Sequence, residues 1–540
     1  PAVKPLSLIH QEYLTGAYRF VLPEAVLVGG ACVLFVLAVT RPKRGLAVAV
    51  GLTGVLAAGV VAALVSVPAF ASVLGWQELP LFWAGVEGTP YYPRALTPFD
   101  PTGPAAFVRC VCLAAAALFT LLAYSETRDD NACEYVACTL IAAAGASLVG
   151  RANDLVTLFL ALELVSIPTY VLLYLPARDR AGQEAAVKYF LLSVLSSAVL
   201  LFGFSYLYGL TGTTNIGAIV DTLTDAHKTQ VSPLALVAIV LTIAGLGFRL
   251  TLVPFHFYAP DVYEGGPTGV VTQLAFFPKL VGFAALARLL GMLYPPLNLL
   301  PFDTSATLIP YTLGIIALVT MTFGNALALL QPNLKRLLAY SGIAHGGYML
   351  VGLVVASTLP DALGATPYLT GVDSLMFYLV GYGLMTVGAF AVLAHLGTGA
   401  NPVETADDLA GLGRTHPVAA GSMAVCLFSL LGLPLTLGFA GKLLLVVAAL
   451  EAPAAGPLGG FPRFLALAIV VNSAIGAVYY LRLIGVMYLR TPLKPAESGR
   501  GPALTVAVIC AVATIALGCY PKPLLEAARA AIPATDATAR

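Results

Sequence analysis

Seven ionisable side chains stand inside apolar runs where a charge has few ordinary uses. Glu163 lies in the middle of "DLVTLFLALELVSIPTYVLLYL" and Lys188 early in "EAAVKYFLLSVLSSAVLLFGF". Lys279 falls within "TGVVTQLAFFPKLVGFAALARLL", His345 within "LLAYSGIAHGGYMLVGL", and Lys442 directly after "GLPLTLGFAG". Arg249 and His256 flank Pro254 in "GLGFRLTLVPFHFYAP". A charge at the centre of a bilayer costs roughly 2.5–3.5 kcal/mol on insertion scales. Burial penalises charge of either sign, so buried lysines and carboxylates are suited to exchanging protons, and a nearby opposite charge reverses that tendency. Taken together, the seven read as a chain of titratable groups, the arrangement a proton relay needs. Simpler readings stand beside this one. Lys188 and Arg249 are near enough to span ends to snorkel to the headgroups, and either histidine alone can be a satisfied core residue. Glu163, Lys279 and Lys442 lie too deep for those explanations.

The elements that position these residues follow from composition. Of 540 residues, 59% are hydrophobic and 10% charged, against about 25% charged in soluble domains. The fold class expected is an all-α polytopic membrane protein. A crossing helix needs about 20 mostly apolar residues. Fourteen candidates meet that test, near 23–40, 46–75, 104–125, 132–150, 154–175, 184–209, 233–252, 268–294, 307–330, 334–356, 371–397, 417–449, 463–489 and 502–520. Connections from odd to even spans carry Arg41, Lys43, Arg44, Arg128, Arg178, Arg180, Arg249, Lys335, Arg336, Arg414, Arg490, Lys494 and Arg500. The opposite connections carry Arg94, Arg151, Lys228 and Arg463, and the tails carry Lys4, Arg19, Lys522, Arg529 and Arg540. Positive charge favours the cytoplasmic side, so both termini are expected outside. Residues 1–22 lack a basic region followed by an apolar core, and no cleaved signal peptide is expected.

Two spans carry an internal interruption, at Pro254 and, in "LLGLPLTLGFAGKLLL", at Pro434. Paired broken spans in two halves of a membrane protein point to inverted repeats and a transport pathway, ordinary proline kinks being the alternative. Cys110 and Cys112 have the wrong spacing for a zinc or redox site, and none of the eight cysteines forms a C-x-x-C pair. The sequence contains no P-loop and no dinucleotide fingerprint. A net charge of +1 suggests no nucleic-acid partner.

The run "GLGFRLTLVPFHFYAPDVYEGGPTGVV", with Lys279 twenty-three residues after His256, resembles the antiporter-like membrane subunits of respiratory complex I, NADH:quinone oxidoreductase. "LALELVSIPTYVLL", "NLKRLLAYSGIAHGGYML" and "GLPLTLGFAGKLLL" fit the subunit N family among them, and "PDVYEG" separates it from relatives that usually carry an "AH" dipeptide there. The likeness covers roughly residues 20–520. It implies fourteen helices, with helices seven and twelve broken and two inverted five-helix repeats. The segments would be 1–131 for helices one to three, 132–294 and 307–490 for the repeats, and 502–540 for the last helix and tail. It also implies a proton-relay role for Glu163 and Lys188 of helices five and six, Lys279 of helix eight and Lys442 of helix twelve, with His256 and His345 as polar links. Arg249 departs from the lysine usual in helix seven; a guanidinium stays protonated, so it reads as a fixed cation. The resemblance implies no redox cofactor in this chain. NADH, FMN, iron–sulfur clusters and quinone would belong to partner subunits. The expected neighbours are K-type and M-type antiporter-like subunits, the lateral helix of an L-type subunit, and lipids, in a bacterial inner membrane.

Two other classes remain open at this point. One is a subunit of a multi-subunit cation/proton antiporter. The other is a structural membrane scaffold, which explains the spans but not the buried charges. On the relay reading, Glu163 and Lys188 are expected to form an ion pair, direct or through water. Lys279 is expected to face the central axis beside His256 and Arg249.

Overall fold

The computed structural model describes residues 21–66, 103–175, 180–223, 233–289, 304–356, 371–397, 403–452, 458–492 and 501–530. Lys4, Arg19, Arg94, Arg178, Lys228, Lys494, Arg500 and Arg540, used in the orientation argument, lie outside them, as do both chain ends and the expected extensions 67–75 and 290–294. The described chain is helical. In order, the helices are α1 Leu22–Ala38, α2 Arg44–Ser66, α3 Gly103–Glu126, α4 Ala132–Val149, α5 Leu155–Tyr174, α6 Arg180–Thr211 and the short α7 Ile216–Leu223. Then come α8 Pro233–Arg249, α9 Ala259–Gly265, α10 Thr268–Arg288, α11 Thr304–Leu329, α12 Leu334–Ala356 and α13 Gly371–Leu396. The last are α14 Leu412–Thr415, α15 Pro417–Leu431, α16 Leu437–Glu451, α17 Phe461–Leu489, α18 Ala503–Cys519 and α19 Lys522–Ala530.

Ten of these helices are long and apolar enough to cross a bilayer, or eleven if the bent pair α18–α19 counts as one. This is fewer than the fourteen expected. The difference lies in length: α1, α8 and α15 are apolar but shorter, at 17, 17 and 15 residues. A 17-residue helix spans about 26 Å, short of a core of about 30 Å.

The helices sort by burial. In α10 and α12, 94% of the apolar stretch is buried, against 22% in α2. Helices apolar all round belong inside, and those with one covered face belong at the lipid edge. Helix α10 is the hub, touching α3, α4 and α5 on one side and α12 and α13 on the other. It carries Lys279.

Both interrupted spans are broken. α8 ends at Arg249 and α9 starts at Ala259, with Pro254 between them; α15 ends at Leu431 and α16 starts at Leu437, around Pro434. Proline supplies no N–H to the helix ladder, so continuation fails at these points. Gly432 completes the second break at φ 97°, in the left-handed region where only glycine is unstrained. Two small backbone bridges also match in kind. Asp154 pairs with Asn215 at the start of α5, and Asn333 with Thr405 at the start of α12. In each, the first residue also accepts from nearby N–H groups: Asp154 from Val156 at 2.8 Å, and Asn333 from Lys335 at 2.9 Å.

Candidate functional site

The seven residues fall into three groups rather than one row. The first group sits between α5, α6 and α8. Arg249 is buried at the end of α8 and is no connection cation, contrary to its place in the orientation count. Its Nη2 donates to Glu163 Oε1 at 2.8 Å and to Ser197 at 3.2 Å. Its Nη1 donates to the Leu162 carbonyl at 3.1 Å and closely to Ser166. The Ser197 hydroxyl donates to Glu163 at 2.5 Å. Four acceptors around one guanidinium make a fixed cation with its counter-charge in place.

The second group corrects the expected Glu163–Lys188 pair. Lys188 donates instead to Asp261 Oδ2 at 2.9 Å and to Glu184 at 2.7 Å. The reason is angular: Glu163 faces α8, where Arg249 offers a planar fork of donors. Lys188, just over two turns into α6, faces α9. Asp261 Oδ1 also accepts from Arg336 at 2.8 Å, and Arg336 reaches Glu264 at 2.7 Å. The "PDVYEG" acids therefore hold basic residues of α6 and α12.

The third group lies on the other side of α10. Lys279 Nζ donates to the Gly342 carbonyl at 2.8 Å and the Tyr382 hydroxyl at 3.2 Å, 5.0 Å from that ring's centre. It faces α12 and α13, not Arg249 and His256 as expected. Leu250, the residue after Arg249, lies with its side chain against Gly282 of α10 and its backbone carbonyl toward Gly346 of α12, and it is wholly buried. Among the described residues no hydrogen bond or ion pair joins Arg249 to Lys279. His345 bridges Tyr378 at 2.6 Å and Tyr480 at 3.2 Å. Lys442 Nζ lies 5.2 Å from the Tyr348 ring centre and donates to the carbonyls of Leu430 and Leu431 at 2.9 and 3.0 Å. Those are the last carbonyls of α15, which have no helical partner, and a cation there also meets the negative end of the helix dipole. His256 sits half-buried in the first break, apart from all three groups.

One buried pair was missed from sequence. Arg109 grips Glu24 with two donors, Nε at 2.8 Å and Nη2 at 2.7 Å, and Ser147 joins them closely. This ties α1, α3 and α4 together. The available signal was a charge inside each of the expected spans 23–40 and 104–125.

Residues 152–456 match the family model described as NADH:quinone oxidoreductase/Mrp antiporter, transmembrane. NADH-quinone oxidoreductase subunit N of Trichlorobacter lovleyi is 34% identical over 97% of this chain and 99% of its own. The subunit of that name from Gemmatimonas aurantiaca is 35% identical over 96% and 94%. The chain belongs to the subunit N family of NADH-quinone oxidoreductase. It is a membrane-arm subunit of complex I, and so part of an oxidoreductase. A chain of respiratory complex I from Thermus thermophilus superposes with a TM-score of 0.70 at 31% identity, covering 94% of this subunit and 99% of that chain. A chain of the Mrp complex from Dietzia sp. matches at 0.71 with 20% identity, over 94% and 97% respectively, which shows a shared fold alone. Among the described residues of the subunit no group of three or more His, Cys, Asp or Glu side chains forms a metal site.

Proposed function

We propose that this subunit carries protons across the membrane through its buried polar groups, driven by quinone reduction in partner subunits. The observation that carries this is the file Lys279–Tyr382, His345 between Tyr378 and Tyr480, and Lys442, all buried. Each member can donate or accept, and the hydroxyls between them can pass a proton without a net charge remaining on them. Arg249 with Glu163 is the fixed end of the system. Proton exchange begins at Lys279, with water as the link to the Arg249–Glu163 pair. Moving one charge against 100 mV requires roughly 2.3 kcal/mol, the scale of forming or losing one charged hydrogen bond.

α1, α8 joined to α9, α15 joined to α16, and α18 supply the crossings beyond the other ten, for fourteen in all. The matched breaks and the matched bridges at Asp154–Asn215 and Asn333–Thr405 support inverted repeats over 132–294 and 307–490. The membrane is the bacterial inner membrane, with both termini on its non-cytoplasmic face. The neighbours are the K-type and M-type subunits and the lateral helix of the L-type subunit, and NADH, FMN, iron–sulfur clusters and quinone reside in partner subunits. The test is purification of the complex through a tag on this chain, followed by proton uptake in vesicles. Recovery with iron–sulfur subunits and NADH-driven uptake supports the reading. Recovery with cation/proton antiporter subunits alone would replace it with the antiporter alternative.

A further inference from the structure

Helix α9 is the loose half of a broken span. It has seven residues, Ala259–Gly265, too few to hold an orientation by its own hydrogen bonds. What holds it is tertiary. On one side Asp261 Oδ2 accepts from Lys188 of α6 at 2.9 Å. On the other Asp261 Oδ1 accepts from Arg336 of α12 at 2.8 Å. Glu264, one turn on, also accepts from Arg336 at 2.7 Å, while Lys335 donates to the carbonyl of Gly266 at 2.9 Å. One carboxylate therefore joins three helices, two of which carry residues of the two polar regions. Along α12, Gly342 lies six residues beyond Arg336 and His345 nine, or about 9 and 14 Å at the helical rise. Gly342 is the carbonyl that takes the Lys279 hydrogen bond. A packed helix transmits a shift at its end as a rigid element.

We propose that Asp261 is a positioning residue for proton transfer. As the shared acceptor of Lys188 and Arg336, it couples the charge state near Lys188 to the placement of α12, and through Gly342 and His345 to Lys279. This rests on the relay reading above. Surface ion pairs taken singly contribute little, and these groups are partly exposed, at 39% for Lys188, 39% for Asp261 and 26% for Arg336. The coupling comes from sharing: with Asp261 gone, Lys188 retains Glu184 and Arg336 retains Glu264, but nothing on α9 links α6 to α12 through a common charge.

The experiment compares Asp261→Asn, Asp261→Glu, Arg336→Gln and the double variant Asp261→Asn/Arg336→Gln in the intact complex. Protons taken up per electron pair are read in sealed vesicles, a ratio that a smaller amount of assembled complex does not change. Asp261→Asn and Arg336→Gln are each expected to lower the ratio by at least half, Asp261→Glu to restore it, and the double variant to be no worse than either single. A wild-type ratio in Asp261→Asn or Arg336→Gln overturns the proposal. So do losses that multiply in the double variant, because they would mark two independent surface pairs. If Asp261→Asn fails to assemble, Arg336→Gln decides alone, since it leaves the Lys188–Asp261 bond intact. Lys279→Met measured alongside separates the two readings. Impaired pumping there with normal pumping in the Asp261 and Arg336 variants removes only this proposal, whereas normal pumping in Lys279→Met removes the relay and this proposal with it.

Discussion

Replacing Lys279 tests whether the buried file moves protons or merely holds a charge. Lys279 Nζ makes bonds of 2.8 and 3.2 Å to Gly342 and Tyr382, in a site only 2% exposed. A hydrogen bond to a charged group contributes about 1.5–3 kcal/mol. If that interaction forms and breaks once per proton, its loss slows the step by roughly ten- to a hundredfold, at about 1.4 kcal/mol per decade. Methionine is unbranched and similar in length, and Gly342 keeps its place inside α12, so Lys279→Met should assemble. It should lower proton uptake more than quinone reduction, so that fewer protons move per electron pair. Lys279→Arg keeps a positive charge but holds its proton permanently. It is also bulkier, and a Cβ added to Gly342 would already stand 3.0 Å from Lys279 Nζ, so overpacking adds about 1–3 kcal/mol of strain. The arginine variant should therefore fail almost as badly as the methionine one. The assay is proton translocation per electron pair in reconstituted vesicles. Wild-type stoichiometry in Lys279→Arg would show that the position supplies charge alone, and the relay argument would be wrong.

Glu163→Gln should impair both pumping and stability. It leaves the Arg249 side chain, 5% exposed, without its counter-charge, and breaking a buried pair costs about 3–5 kcal/mol; an unchanged melting temperature of the complex would contradict the pairing. Arg249→Lys, which keeps a cation at the site, should leave Glu163 within reach and retain most of the pumping, as read from the same vesicle assay. Lys442→Met leaves the last carbonyls of α15, Leu430 and Leu431, without their donor, at about 1–3 kcal/mol for each. Thermal unfolding should shift down and proton uptake should stop, and uptake at the wild-type rate would remove Lys442 from the path. Single cysteines placed at Arg180 and at Thr538 should label from opposite faces of the membrane; labelling from one face would refute the fourteen-span orientation.

Much of this subunit was legible before any helix was placed beside another. The apolar runs, the depth of Glu163, Lys279 and Lys442 within them, and the breaks at Pro254 and Pro434 are local properties. Hydropathy sums over neighbours in sequence, and proline ends a helix by lacking its own N–H. The number of full-length crossings was less legible, because Leu22–Ala38, Pro233–Arg249 and Pro417–Leu431 are apolar throughout yet end early, where caps and breaks intervene. The partners of the charges were not legible at all. Lys188 lies twenty-five residues from Glu163 on the adjoining helix, yet its acid is Asp261, and Glu163 belongs to Arg249, eighty-six residues away. Glu24 and Arg109 met across eighty-five residues, and the charge inside each expected span did not say which partner it would take. A charge in an apolar environment takes whichever opposite charge or dipole the packing brings within about 3 Å. That choice depends on the rotation and neighbours of each helix, which only the assembled fold decides.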